Sequence, residues 1–454
     1  MSERLLRHRR EFLGGTLGIA VSTGTRLIAS DAPPRPGERP LFSHIVRGLS
    51  RNPREPWAVQ YVAELARAYD LMIHRGEEGV GLGGQARMHQ LANAAGIHKH
   101  AGFLPWHRAM LHYHERILGA LIKNTSFRLP VWDWESKEGV CPPKFMTSGS
   151  AGGNSLGNTT RQWVARYAPD PARVAQKWAN HLGSGFDRFA GEYFDLRWRP
   201  TDRPAPWDIE PTAADMPHKT VHNWVAGDML KLDSAGYDPL FYMHHCGVDR
   251  LWAHRQMLRG ESGVLDFVDF PRDHEVLRKD MWFFDYDEHE YAQSGRVVAK
   301  QVRRCFWEFA DYTQQGYTYS FPAIRPRRIL RRQELFVSSS KPQWRAFPDA
   351  QEGDRELLAL IPLPDHLSGE VEIVVKTRRG LVPIGSITQA DHGDHGARGK
   401  REAVNVYVQV SVPIEVLTEW RKGARVPLIW RIGKRRGTTV LLGLEQIEWE
   451  RRRN

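Results

Sequence analysis

Cys141, Cys246 and Cys305 are the only three thiols in 454 residues. They are too few and too widely spaced for a disulfide framework or a thiolate metal knuckle, so any bound metal must be held by other donors. No apolar stretch reaches the roughly 18 residues that a membrane-spanning helix needs, so no stable membrane span is expected. No internal repeat appears, which sets solenoids and propellers aside. The formal net charge is +11, which alone would suit an anionic partner. The basic residues, however, gather at the N-terminus, around Arg325 to Arg332 and at Arg451 to Arg453, without interleaved glycine and aromatics, so no nucleic-acid partner is expected.

With 41% hydrophobic residues and 16 Trp, the chain has a globular composition and enough length for two domains plus a targeting segment. Arg7, Arg9 and Arg10 precede Phe12, Leu13 and a small, uncharged stretch to Thr25. "RREFL" resembles a twin-arginine export signal, which implies a signal peptide over 1–32 and a periplasmic or secreted product. From Pro56 to about Tyr312 the apolar spacing is mainly helical, as in "VQYVAELARAYDLM". After the Arg/Pro/Ser-rich "RPRRILRRQELFVSSSKPQW" it turns to strand alternation. "AVNVYVQVSV" sets Val404, Val406, Val408 and Val410 on one face, and "ELLALI", "GEVEIVVKT", "VPLIWRI" and "TVLLGLEQIEW" are further strand candidates.

Histidine is locally concentrated. Five of the chain's 20 fall in "AGIHKHAGFLPWHRAMLHYHER", residues 95–116. Pro105 suits the first position of a helix, where its missing N–H costs nothing, and His107 then lies in the opening turn. His98 stands nine residues earlier and His89 nine before that. In "PHKTVHNWVAGDMLKLDSAGYDPLFYMHHCGVDRLW", His218 and His222 are four apart and share a helix face able to chelate one ion. Asp238 and Pro239 read as N-cap and first residue of the next helix, which carries His244 and His245. Adjacent helical residues diverge by about 100°, so only one of that pair can face the site. The stripe Phe241, His245, Val248 and Trp252 favours His245, with Asp249 placed to hydrogen-bond its ring. "HKTVH" lacks the glutamate of a zinc protease, and no Asp or Glu falls in step with the histidines as a two-histidine, one-carboxylate iron site requires. Three neutral imidazoles per ion, twice, suit copper best.

"HKHAGFLPWHRAMLHYHE" and "DPLFYMHHCGVD" resemble the two copper-binding signatures of the tyrosinases. The likeness continues through "HIVRGL", "LPVWDW", "HNWVAG" and "GYTY" (Tyr317, Tyr319), spanning most of residues 44–320. The tail, in "GSITQADHG", "PIEVLTEW" and "LEQIEWE", resembles the C-terminal shielding domain of plant polyphenol oxidases. This resemblance implies a mainly α catalytic domain over 40–320, a helical bundle around a dicopper site. A linker over 321–355 and a small all-β sandwich over 356–450 would follow. It implies two copper ions, one on His89, His98 and His107 and the other on His218, His222 and His245. His74 is the alternative to His89, and His244 the alternative to His245. His100, His112 and His114 are left as structural.

The implied reaction oxidises o-diphenols to o-quinones with dioxygen, with monophenols left open. The implied partners are a phenolic small molecule and dioxygen, with a copper chaperone a further candidate. Two departures bear on activity: Gly96 stands where many relatives carry a cross-linked cysteine, and Lys219 where monophenol-hydroxylating relatives often carry asparagine. Glu210 is the candidate for orienting a water, Leu232 for a gate, and Lys219 and Asn223 complete the substrate-handling set. A sandwich covering the pocket would make the enzyme latent until the arginine-rich linker is cut. A haemocyanin-like dioxygen carrier and a copper-sequestering export protein are the rival readings.

Overall fold

The structure, a computed structural model, describes residues 33–95, 97–99, 103–140, 146, 155–165, 168–172, 174–175, 178, 218–261, 280–324, 328–334, 356–364, 369–377, 380–389, 403–411, 415–416, 418, 428–432, 435–438 and 440–448. The expected export segment, His100 and Glu210 lie outside them. Among the described residues no helix is long and apolar enough to cross a membrane.

The N-terminal part is helical: α1 (Phe42–Ser50), α2 (Pro56–His74), α3 (Leu82–Ala94), α4 (Phe103–Leu121), α5 (His218–Val225) and α6 (Pro239–Glu261). α2 opens on Pro56 at its first position and buries Ala58, Leu65, Ala68, Tyr69 and Met72, one stripe at helical spacing. α4 is buried almost all round, which marks it as the central helix. It begins at Phe103, two residues before the expected Pro105. Any first-turn position spares proline a hydrogen bond, so Pro105 does not by itself fix the start. α6 begins as expected: Asp238 Oδ1 accepts from the Leu240 N–H at 2.8 Å. The same carboxylate takes a two-pronged contact from Arg161, at 2.8 and 2.6 Å, pinning the entry to α6.

The region up to Tyr312 is not wholly helical. β1 (Asp280–Tyr286) pairs antiparallel with β2 (Ala299–Cys305) around the short α7 (Glu288–Ser294). β1 turns Phe283 onto Trp106 and Tyr113 of α4, with ring centroids at 5.7 and 5.3 Å. "DMWFFDY" is a short apolar run whose period alone cannot separate strand from helix.

The C-terminal part is two four-stranded antiparallel sheets. β3 (Arg328–Glu334), β10 (Val440–Glu448), β4 (Glu356–Pro364) and β7 (Ala403–Ser411) lie in that order in one; β6 (Gly380–Gln389), β5 (Gly369–Thr377), β8 (Leu428–Ile432) and β9 (Arg435–Thr438) in the other. The alternating valines of β7 pair with the alternating apolar positions of β4: Val404 opposite Leu363, Val406 opposite Ile361, Val408 opposite Ala359 and Val410 opposite Leu357. β6 meets β7 across the two sheets, and it also lies against α5. β3 falls inside the stretch whose composition suggests a linker, and its ladder with β10 is what makes it a strand.

A buried ion network closes the helical part. Asp249 of α6 accepts from Arg108 Nε at 2.6 Å and from the Tyr317 and Tyr319 hydroxyls at 2.6 and 2.7 Å. Arg39 donates to Glu115 at 2.9 Å and to the Tyr319 hydroxyl at 2.6 Å, and stacks 3.7 Å over the Tyr317 ring. Tyr317 and Tyr319 therefore tie the end of the helical part back to its beginning and to α4 and α6.

Candidate metal centre

Four helices and one turn deliver the histidines. α3 carries His89, a single 3-10 turn (Ile97–Lys99) His98, α4 His107, α5 His218 and His222, and α6 His244 and His245. All seven side chains are buried. His89, His98 and His107 gather as one group, and His218, His222, His244 and His245 as another; within each group the nearest ring nitrogens lie within 4.8 Å of one another. His74 is elsewhere, exposed at the end of α2 with Nδ1 on the Asp70 carbonyl at 2.7 Å.

The two groups face each other. The His107 and His245 rings, one from each, stack with centroids 4.3 Å apart and planes within 8°. Two phenylalanines bracket the gap. Phe103 packs against His98 and His107 of the first group and His218 of the second. Phe241 packs against His89 of the first and against His222 and His245 of the second. The gap between the groups is thus flanked by an aromatic ring on two sides, supplied by "FLPW" and "DPLF".

Backbone oxygens set how the rings turn. His107 Nδ1 lies 2.8 Å from the Phe103 carbonyl and His222 Nδ1 2.6 Å from the Met229 carbonyl. A carbonyl can only accept, so Nδ1 carries the proton in both and Nε2 presents its lone pair to the centre. His98 reaches the same arrangement through Asn93 Oδ1 at 2.8 Å. Burial holds His107 down to about 3. It also holds His89, His244 and His245 well below the usual histidine range, with neighbouring imidazoles adding to the effect. These rings are neutral at physiological pH, the form that ligates metals.

The donors fit metal ions of the borderline, nitrogen-preferring kind. His107 Nε2 and both nitrogens of His245 are buried with no hydrogen-bond partner. His89 Nε2 and His98 Nε2 point at each other across 3.3 Å. Two lone pairs so placed repel unless a proton or a cation lies between them. That spacing is short enough for both nitrogens to ligate one ion. Among the described residues neither group includes a carboxylate or thiolate, and an all-imidazole set suits copper or zinc over magnesium, calcium or manganese.

The adjacent pair divides its work. His244 Nε2 lies 3.2 Å from the His218 carbonyl, and its ring sits edge-on to Trp134. His245 instead faces His107 and Phe241. Asp249 does not hold the His245 ring, contrary to the sequence expectation. Its two oxygens are taken by Arg108, Tyr317 and Tyr319, because one helical turn displaces it toward the ion network. His114 is away from the centre, stacked on Tyr242 at 3.5 Å with Nε2 3.0 Å from the Tyr69 hydroxyl. His112 packs on Tyr113 and Phe309. Asn223 follows His222 and is buried, and Leu232 is fully buried with its carbonyl beside the His89 ring. Lys219 lies on α5, but its side chain is outside the described residues.

Sequence spacing passed over the groups that orient these rings. Phe241, on the His245 stripe, and Phe103, in the aromatic "FLPW", are legible in the sequence. Asn93 and the Met229 carbonyl carry no motif.

Residues 82–258 match the family model described as the common central domain of tyrosinase. The chain is 26% identical over 375 residues to polyphenol oxidase E, chloroplastic, of Solanum lycopersicum, covering 73% of this chain and 60% of that one. It is 26% identical over 383 residues to catechol oxidase B, chloroplastic, of Solanum tuberosum, covering 74% and 61%. The chain thus spans about three fifths of the length of these curated relatives. Among solved structures it is similar in fold to one described as latent apple tyrosinase, with a TM-score of 0.55 and 18% identity, over 92% of this chain and 97% of that one.

Proposed function

This chain belongs to the tyrosinase family through its domain at residues 82–258, and on that premise we propose that it is a copper-dependent oxidase of phenols. In this reading His89, His98 and His107 hold one copper ion, and His218, His222 and His245 the other. The observation that carries it is the stacking of His107 on His245, which sets face to face two groups that among the described residues hold only imidazoles. Bound copper supplies the electron exchange with dioxygen that imidazole side chains cannot perform.

The chain's own residues do the rest. Phe103 and Phe241 keep water from the gap and offer flat apolar faces to an aromatic substrate. The carbonyls of Phe103 and Met229 hold two rings in the ligating tautomer, so no reorganisation is needed when substrate arrives. Buried His89, His107 and His245 resist protonation and are poor acceptors for the phenolic protons. Those protons leave by way of solvent or of the Glu210, Lys219 and Asn223 set, with Leu232 beside the first group. The proposed reaction takes two electrons and two protons from each o-diphenol, so two diphenols become two o-quinones as one dioxygen becomes two waters. The contact of β6 with α5 supports a latent state in which the sandwich restricts access to the second group. Export through the segment at 1–32 completes the proposal.

The test is to load the full chain with copper and follow dioxygen uptake and quinone colour with a catechol, a monophenol and an aminophenol. Two bound coppers and consumption of two catechols per dioxygen are expected. Copper and dioxygen binding without catechol loss, in the full chain and after a cut in the arginine-rich linker alike, would make the protein a carrier and overturn the oxidase reading.

A further inference from the structure

One short stretch, Met229 to Asp233, touches rings of both histidine groups. The Met229 carbonyl accepts from His222 Nδ1 at 2.6 Å, and the Leu232 carbonyl lies beside His89. Asp233 reaches the first group through an intermediary: its Oδ1 accepts from Asn93 Nδ2 at 2.7 Å, and Asn93 Oδ1 faces His98 Nδ1 at 2.8 Å.

The direction of this chain of bonds follows from what each atom can do. A carboxylate only accepts, so the NH2 end of the Asn93 amide must turn to Asp233. That leaves its oxygen for His98 and requires the proton on His98 Nδ1. Nε2 of His98 is then committed to the centre, where it faces His89 Nε2 at 3.3 Å. Asn93 is itself buried, so rotating its amide would bury a donor against the His98 N–H and an acceptor against a carboxylate, both costly.

We propose that Asn93 is a positioning residue through which Asp233 fixes the tautomer and ring angle of His98, so that the 229–233 stretch sets both histidine groups as one unit. The stretch is anchored at both ends. Met229 packs within the core, and the Arg161–Asp238 pair pins the start of α6 just beyond it. The metal-binding consequence rests on the dicopper reading; the tautomer itself does not.

The closing experiment therefore has a readout that needs no metal. In the metal-free full chain labelled with nitrogen-15 histidine, long-range correlations between ring protons and ring nitrogens report each tautomer. Loss of one signal in His98→Gln assigns His98. The wild type is expected to show a single Nδ1–H form for His98. Asp233→Ala and Asn93→Leu should each turn that signal into a mixture of tautomers, and Asp233→Asn, which keeps an acceptor for Asn93, should restore it. In the copper-loaded protein, competition with a chelator should show the more weakly held copper lost about 10-fold more readily in Asp233→Ala and in Asn93→Leu. Asn93→Leu combined with Asp233→Ala should be no worse than Asn93→Leu alone. An unchanged His98 signal in Asp233→Ala, or additive losses in the double variant, overturns the proposal. Wild-type protein that binds no copper while the tautomer still responds overturns the dicopper reading and leaves the positioning role standing.

Discussion

Lowering the pH should unfold the metal-free protein while the copper-loaded protein survives. His107 and His112 are pushed down to about 3 and His254 to about 4, burial being the main cause in each. In the unfolded chain each returns to about 6.5. Because the folded value lies below the unfolded one, the stability these rings contribute is complete above pH ~6.5 and drains away as the pH falls toward 4 and 3. Each ring then costs ~1.4 kcal/mol per pH unit, or ~4 kcal/mol per unit for the three. Between pH 6.5 and 5 that amounts to ~5 kcal/mol, against a whole-domain stability of ~5–15 kcal/mol. His89, His114, His244 and His245, also held low by burial, act in the same sense. Buried Asp133 and Asp285 have raised carboxyl values and oppose it. Urea titrations at pH 7.5, 6.5, 5.5 and 5 give the slope of stability against pH, and hence the protons taken up on unfolding. The expected uptake near pH 5 is at least three. Bound copper should move the acid transition down by competing with those protons for the same nitrogens. An uptake below one proton, or an acid transition indifferent to copper, would refute the claim that burial keeps these imidazoles neutral.

Other expectations concern the frame. Asp249→Ala strands the buried Arg108 guanidinium and two tyrosine hydroxyls, so urea unfolding should show a loss of about 3–5 kcal/mol, and Asp249→Asn a smaller one. Gly247→Ala places a methyl 2.5 Å from a Trp134 ring carbon and 2.8 Å from the Trp132 carbonyl. Overpacking of about 1–3 kcal/mol should outweigh alanine's helix advantage of about 1 kcal/mol, read as a lower thermal midpoint. Because β3 is laddered to β10, a protease cut within 335–355 should leave the sandwich attached and catechol turnover low. A cut engineered at 325–327 should release it and raise turnover, and equal activity after either cut would count against latency.

The histidine groups were legible because helices turn spacing into direction. The four-position spacing of His218 and His222, and an Asp-Pro start that phases His245 with Phe241, are local facts. The β7 and β5 strands were legible through alternation of apolar residues. What stayed hidden depended on partners distant in the chain. Asn93 acquires its role from Asp233, 140 residues away, and nothing around "LANAAG" announces it. Asp249 follows His245 one turn later on the same helix, which points it toward that ring. The competing claim came from Arg108, Tyr317 and Tyr319, which the local sequence does not reveal. β3, "RILRRQE", is too basic to alternate convincingly and owes its strand to the neighbour it pairs with.

The ion network and the imidazole centre share helices without sharing space, and among the described residues neither histidine group includes a carboxylate. α4 places His107 inward and, at the next residue, sends Arg108 away to Asp249; α6 places His245 inward and Asp249 outward. Among the described residues four buried arginines are each matched with a carboxylate: Arg108 with Asp249, Arg39 with Glu115, Arg161 with Asp238, Arg250 with Glu135. A buried carboxylate left unmatched would be drawn to a bound cation and displace an imidazole from it. The paired charges hold α4 and α6 at a fixed rotation, and that rotation stacks His107 on His245. The stability of the frame and the composition of the centre are therefore one requirement, met by the phase of two helices.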